Sequence, residues 1–269
     1  MTDLPHQLCA LASRLAVSAG DHVFEGRKNG LTSISTKSSD TDIVTEFDRA
    51  SEHLIVEGIR VERPDDAIVG EEGTDSAGES GIRWLIDPID GTTNFQYDLP
   101  GYAVSIAALS QDRPLAGAIY IPSSKELFTA TAGGGAWLNG SPISCGTTSS
   151  LQHALVATGF SYQIERRREQ AVRIAEVIPR VRDIRRFGAA APDLCYVAAG
   201  RIDVYFEEGL GPWDWAAGEL LAREAGCRTG HFDGTPVGHS QVLAANPALF
   251  AQMVELLADT EPGRNPGIM

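Results

Sequence analysis

Trp84-Leu85-Ile86-Asp87-Pro88-Ile89-Asp90-Gly91-Thr92-Thr93-Asn94-Phe95 is the stretch on which the reading of this chain turns. Its three leading apolar residues read as the end of a buried strand. Two carboxylates follow with Pro88 between them, and then a glycine and two threonines, residue types that open helices. Ionised carboxylates held close together repel, so one takes up a proton unless a cation intervenes. Pro88 fixes its own φ and keeps Asp87 extended, which leaves the two side chains little freedom to diverge. Gly91 lets a ligand approach the backbone, and the free N–H groups of the helix that follows can receive an anion. The economical reading places divalent cations on Asp87 and Asp90 and a phosphate at the helix N-terminus.

Asp-x-x-Asp beside glycine also occurs in ordinary capped turns, so the rest of the chain has to supply the remainder of a site. It offers acids at three other places. Gly70-Glu71-Glu72-Gly73 ends the short strand expected over Ala67-Ile68-Val69-Gly70. Trp213-Asp214-Trp215 opens a helix expected from Asp214 to Ala225, and Asp42 to Asp48 precedes one expected to run to about Arg60. Asp48, Glu71, Glu72, Asp87, Asp90 and Asp214 are therefore candidates for one metal centre.

The chain has 269 residues, enough for one large domain or two small ones. Its net charge of −14 opposes nonspecific nucleic-acid binding, which relies on cations neutralising phosphates. Bound divalent cations would invert that field at a carboxylate cluster. No run approaches the ~20 apolar residues of a membrane span. Met1-Thr2-Asp3-Leu4-Pro5 shows no basic region ahead of an apolar core, and Cys9, Cys145, Cys195 and Cys227 have no metal spacing. A cytoplasmic protein with reduced, buried thiols is the expectation.

Leu8, Leu11, Leu15 and Phe24 make residues 4–24 an amphipathic first helix, followed by a polar turn or short hairpin over 28–41. From Ile82 to Leu138 apolar runs separated by turn residues read as strands, with Asn139-Gly140 as a hairpin signal. After about residue 150 strands and helices alternate: strands at 155–157, 203–206 and 242–244, helices at 166–178, 192–199 and 247–257, and a loose tail from Thr260. The class is α/β or α+β, helices and sheets in layers without a linker. Two intimate halves are expected. The first, near 1–145, is α+β and holds most of the acids; the second, near 146–269, is α/β and holds Asp214.

Taken together, these segments resemble the inositol monophosphatase family, within the lithium-sensitive metal-dependent phosphatases that include fructose-1,6-bisphosphatase. The resemblance rests on Asp87 to Phe95 and Trp213-Asp214-Trp215-Ala216-Ala217-Gly218, supported in order by Gly70-Glu71-Glu72 and Asp42 to Asp48. It implies a single domain over 1–269 in alternating α-β-α-β-α layers, a Mg²⁺-dependent phosphomonoesterase and a homodimer. Carried over by position, Glu71, Asp87 and the carbonyl of Ile89 look like ligands of one Mg²⁺, and Asp87, Asp90 and Asp214 of a second. Glu71 with waters would serve a third, looser one. Oxygen ligands suit such a hard cation. Thr92 and Asp48 look like the pair that orients and deprotonates the attacking water, with Glu71 beside them. The N–H groups of Gly91 and Thr92 would hold phosphate oxygens, in a direct in-line attack without a phosphoenzyme.

On the substrate side, Glu207 resembles the acid that accepts hydroxyl hydrogen bonds, Gly188-Ala189-Ala190 the loop beside the substrate ring, and Lys37-Ser38-Ser39 the loop over the third metal. The family often has Ser or Thr where Ala189 stands, and Pro192 is unusual there. The substrate implied is a small phosphorylated polyol, myo-inositol 1-phosphate, with no direct nucleic-acid or membrane partner. Histidinol phosphate, fructose 1,6-bisphosphate and 3′-phosphoadenosine 5′-phosphate stand as alternative substrates. Binding to the transcription machinery stands as an alternative of another class, since some bacterial members do this. Arg166-Arg167-Arg168 reads as a solvated helix face and Arg182, Arg185 and Arg186 as an interface or strand edge, with steering of an anionic substrate as the other option.

Overall fold

A central sheet receives alternate side chains on opposite faces, and here both sets are apolar, so the sheet must be covered twice. The structure, a computed structural model, describes residues 4–28, 30, 34–36, 43–238, 241–258 and 260. Lys37-Ser38-Ser39, Asp42 and the tail beyond Thr260 lie outside the described residues. Strands Ile82–Asp90, Ala103–Ser110, Arg113–Ile121, Glu126–Thr131, Gly135–Leu138 and Ser141–Pro142 pair antiparallel in sequence order. On the other side of Ile82–Asp90, strand Ala67–Gly70 pairs parallel and Asp75–Ser76 forms the edge.

One face of this sheet presents Trp84, Ile86, Val104, Ile106, Ala118 and Tyr120 to Leu8, Leu11, Ile55 and Ile59, on helices Leu4–Arg27 and Glu46–Glu62. The other presents Leu85, Ala107, Leu109 and Ile119 to Ala191, Cys195, Ala216 and Leu220, on helices Ala190–Ala198 and Pro212–Glu224. Those two helices form a middle layer, because their far sides meet Ala157, Tyr205, Val242 and Ala244 of a second sheet. That sheet has the order Asp183–Arg185, Leu155–Thr158, Val204–Glu208, Gln241–Ala245, Arg228–Gly230. Its outer face packs on Val177, Phe250, Met253 and Leu257 of helices Ile164–Val177 and Pro247–Ala258. The fold is thus an α+β sandwich of five layers, α-β-α-β-α. No helix among the described residues is long and apolar enough to cross a membrane.

Several boundaries differ from the sequence reading, each for a local reason. The strand that begins at Ile82 does not stop before Asp87 but runs to Asp90, with its register to Ala103–Ser110 shifting between the two acids. Pro88 cannot donate to the ladder and sits inside that irregularity. The helix carrying Asp214 starts earlier, at Pro212, so Asp214 lies within its first turn, and Gly226 follows its end as expected. The helix expected from Pro192 starts at Ala190. Residues 34–36 and 43–45 pair as a short antiparallel ribbon. Thr260 is not loose: it is buried, and its hydroxyl donates to the Leu257 carbonyl at 2.7 Å. All four cysteines are free, as expected, but Cys9 and Cys145 are half-buried rather than buried, and the Cys145 and Cys227 thiols are hydrogen-bonded to each other.

Beneath the first helix layer Asp66 is buried with a full set of donors. Arg63 donates to both of its oxygens at 2.8 and 3.0 Å, Ser80 at 2.6 Å and the Trp84 indole at 2.9 Å. Burial alone would raise this carboxyl, but those bonds outweigh it and hold it below the usual carboxylate range. Asp66→Ala leaves the fully buried Trp84 indole without its acceptor. We expect a loss of about 3 kcal/mol at pH 7, measured by urea unfolding. A lowered carboxyl stabilises above its unfolded pKa, so the difference from wild type should shrink as pH falls below ~4.

Candidate functional site

The bulged end of strand Ile82–Asp90 builds one wall of an open cleft of about 300 Å³. Asp87 faces it with Oδ1 accepting the Ile89 N–H at 3.0 Å, which ties the acid back onto its own strand. Gly91 takes φ +92, a left-handed value that favours glycine, and a Cβ there would stand 3.0 Å from the Ala189 Cβ. Gly91 is therefore required by the chain's own packing as well as by any ligand. The short helix Thr92–Gln96 is capped at Gly91 without a side-chain bond. Thr92 is the first residue of that helix, as its sequence position implied, but its hydroxyl serves other partners. Its hydroxyl lies 3.1 Å from Asp48 Oδ1 and 3.0 Å from the Ile89 carbonyl, and its one proton can be donated to either.

The other walls come from distant segments. Glu71 follows strand Ala67–Gly70, Glu207 lies in strand Val204–Glu208, Asp214 lies in the first turn of helix Pro212–Glu224, and Gly188, Ala189 and Ala190 lead into helix Ala190–Ala198. Of the expected site residues, Glu71, Asp87, Ile89, Asp90, Gly91, Thr92, Gly188, Ala189, Glu207 and Asp214 line the cleft together. Asp48 stands behind it, fully buried, and reaches the cleft through Thr92. Glu72, offered as a further acid, is not among the lining residues.

Burial and mutual charge dominate the electrostatics. Burial pushes Asp87 well above the usual carboxylate range, and the charges of Glu71, Asp90 and Asp214 push it further. Asp214 is raised by burial and then by Glu71 and Asp90. Burial raises Asp90 to about 7, against the Ala191 N–H that donates to its Oδ2 at 2.5 Å. That bond serves the helix as well: Ala189 is its N-cap and has no side-chain oxygen to offer, so Asp90 accepts one of the free first-turn donors. Glu207 is raised by burial despite the Tyr205 hydroxyl at 2.7 Å, and Asp48 by burial despite Thr45.

Among the described residues no three His, Cys, Asp or Glu side chains are closed onto one point as a metal requires. The Asp87 carboxyl instead shares hydrogen bonds with Glu71 and Asp214. Carboxyls that share protons in this way form an all-oxygen donor set with excess negative charge, and such a set fits a hard divalent cation.

Some lining residues were not read from the sequence as site residues: Tyr162, Glu208 and Trp213. Arg166, read as part of a solvated helix face, and Arg186, read as part of an interface or strand edge, also line the cleft, which gives the steering option a place to act. Periodicity carried no signal for these: Tyr162 and Arg186 lie between elements, while Glu208, Arg166 and Trp213 sit at the ends of theirs, so they reach the cleft through the tertiary fold.

The family model described as "Inositol monophosphatase family" matches residues 4–261. A protein named "Nus factor SuhB" from Salmonella typhimurium is 39% identical over 265 residues, covering 94% of this chain and 98% of that one. An "Inositol-1-monophosphatase" from Mycobacterium bovis is 41% identical over 243 residues, covering 83% of each. The solved structure of the extragenic suppressor protein suhB from Bartonella henselae superposes with a TM-score of 0.88 at 34% identity, covering 96% of this chain and 98% of that one. A match of this length, over a chain that gathers its acids onto one cleft in this way, establishes kinship: the chain belongs to the inositol monophosphatase family.

Proposed function

We propose that this protein is a Mg²⁺-dependent phosphomonoesterase that hydrolyses a small phosphorylated polyol, with myo-inositol 1-phosphate as the preferred substrate. The observation that carries the reading is the convergence of Glu71, Asp87, Asp90 and Asp214, from separate segments, on one cleft backed by the Thr92–Asp48 pair. Glu71, Asp87 and the Ile89 carbonyl would hold one Mg²⁺, and Asp87, Asp90 and Asp214 a second; Glu71 would serve a looser third. The ions, when bound, supply a lowered water pKa and a counter-charge for the phosphate and the leaving alkoxide.

The chain's own groups do the rest. Thr92 orients the attacking water and passes its proton toward Asp48, whose raised pKa makes it a better acceptor than an exposed aspartate. The N–H groups of Gly91 and Thr92 hold phosphate oxygens, so that attack is in line. Glu207, at the cleft, accepts hydrogen bonds from polyol hydroxyls, and Gly188-Ala189 border the ring. A homodimer and inhibition by lithium belong to the same reading. Phosphate release from myo-inositol 1-phosphate should depend on Mg²⁺ and be lost in EDTA. Release that is indifferent to EDTA would contradict the proposal, and a substrate panel in which histidinol phosphate gives the higher kcat/KM would overturn the substrate.

A second reading is favoured by the name carried by the Salmonella relative, Nus factor SuhB. On it, this chain assembles with the transcription machinery. The expectation of no direct nucleic-acid contact rested on acidity alone. Recovery of RNA polymerase subunits on the tagged protein from its own lysate supports this reading; recovery of none counts against it.

A further inference from the structure

Helix Glu46–Glu62 presents three polar residues at i, i+3 and i+4, the spacing that places side chains on one face. Each is buried, and each bonds a different segment that carries a cleft residue. Asp48 meets the Thr92 hydroxyl at 3.1 Å, and Ser51 donates to the Pro88 carbonyl at 3.0 Å, inside the Asp87–Asp90 bulge. The third, Glu52, is 4% exposed and has no part in the chemistry above.

Its carboxylate is filled by the donors of a single turn. Oε2 accepts the Glu72 N–H at 2.8 Å, while Oε1 accepts the Thr74 N–H at 3.1 Å and the Thr74 hydroxyl at 2.6 Å. The same turn is closed by the Gly70 N–H donating to the Thr74 carbonyl at 2.8 Å, and the Glu71 N–H is held by the Ile86 carbonyl at 3.0 Å. Gly70 presses directly on the carboxylate: a Cβ there would stand 2.3 Å from Oε2. Only an ionised carboxylate offers acceptors alone, so an amide would turn an NH₂ group onto one of these donors.

We propose that Glu52 is a positioning residue: it fixes the turn 71–74 so that the Glu71 carboxylate is presented to the cleft in the pose that a divalent cation needs. This rests on the metal-site reading above. Groups that orient metal ligands typically affect affinity by about 10–100-fold when removed.

The test uses the full-length protein and its Glu52→Gln, Thr74→Val and Thr74→Ser variants. Mn²⁺ binding is followed by electron paramagnetic resonance, amide exchange over 71–74 by mass spectrometry, and phosphate release against Mg²⁺ concentration. E52Q should bind Mn²⁺ at least about tenfold more weakly. It should raise the Mg²⁺ concentration for half-maximal rate, with kcat largely recovered at saturation, and speed exchange at Glu72 and Thr74. T74V should shift in the same direction by less, and T74S, which keeps the hydroxyl, should restore Mn²⁺ affinity. Folded E52Q and T74V with wild-type Mn²⁺ affinity overturn the proposal, as does a change in substrate KM with metal affinity untouched. If E52Q does not fold, T74V decides alone. A wild-type chain that binds no Mn²⁺ and releases no phosphate defeats the metal-site reading itself, whereas a wild type that does both beside an unaffected E52Q defeats only this inference.

Discussion

Asp90→Asn is expected to abolish Mg²⁺-dependent phosphate release while leaving the protein folded and, in EDTA, more stable than wild type. The two halves of this result have separate causes. An amide oxygen can still accept the Ala191 N–H that Asp90 accepts at 2.5 Å, so helix Ala190–Ala198 keeps its first-turn bond. The substitution also removes one acid from a buried group of like charges, where Asp87, Asp214 and Asp193 are all raised in part by Asp90. With a cation required, the lost charge removes a ligand and part of the counter-charge. A fall in kcat/KM of at least ~10²-fold is expected, the scale for losing one well-placed electrostatic contact in a reacting site. Phosphate release, direct Mn²⁺ binding and a thermal scan in EDTA check the three parts. Normal turnover by the variant would remove Asp90 from the metal site, and a lower Tm in EDTA would show that its charge is compensated in the fold.

How much of this was legible beforehand depended on how local each feature was. The layers followed from periodicity: Trp84 and Ile86 alternate with Leu85, and helices stand between and outside the strands. Asp87 and Asp90 were visible because proline and glycine confine them within a few residues. Glu71 and Asp214 looked like ordinary acids at element ends, candidates for a metal centre by residue type, and only the resemblance gave each a ligand role. Strand Ile82–Asp90 was cut short because two acids look like an exit from a core. The ladder that carries the strand through them, Asp87 opposite Ser105 and Asp90 opposite Ala103, is a long-range pairing. Glu52 was not legible at all. It sits where a solvated helix glutamate would, and its partners are 20 and 22 residues away in a turn the helix must first meet. Asp193 is similar: it is buried in the middle helix layer with no hydrogen-bond partner on either oxygen among the described residues, and nothing near it in sequence marks it.

The same carboxylates make stability itself a reporter of the metal. Asp48, Asp87, Asp90, Glu207 and Asp214 all have raised pKa values in the fold, with burial as the first cause and Asp90 at about 7. A raised carboxyl binds its proton in the native state at pH values where the unfolded chain has released it. The folded state therefore holds more protons between about 4 and 7, and stability must fall as pH rises through that window. Below ~4 the trend reverses, since Asp66 and Glu126, held low by their arginine partners, then lose their contribution. The metal-free protein should accordingly be most stable near pH ~4. One extra native-state proton carried over two pH units is worth about 2.7 kcal/mol. For a chain of this size that is a fall in Tm of ~5–10 °C between pH ~5 and ~7. Divalent cations displace those protons, so Mg²⁺ should stabilise little at pH ~5 and strongly at pH ~8, flattening the profile. Thermal scans in EDTA and in Mg²⁺ across this range measure both slopes. Asp90→Asn should reduce the EDTA slope. An EDTA profile that is level or rises from pH ~5 to ~8 would mean that the acids are compensated within the protein and have no need of a cation.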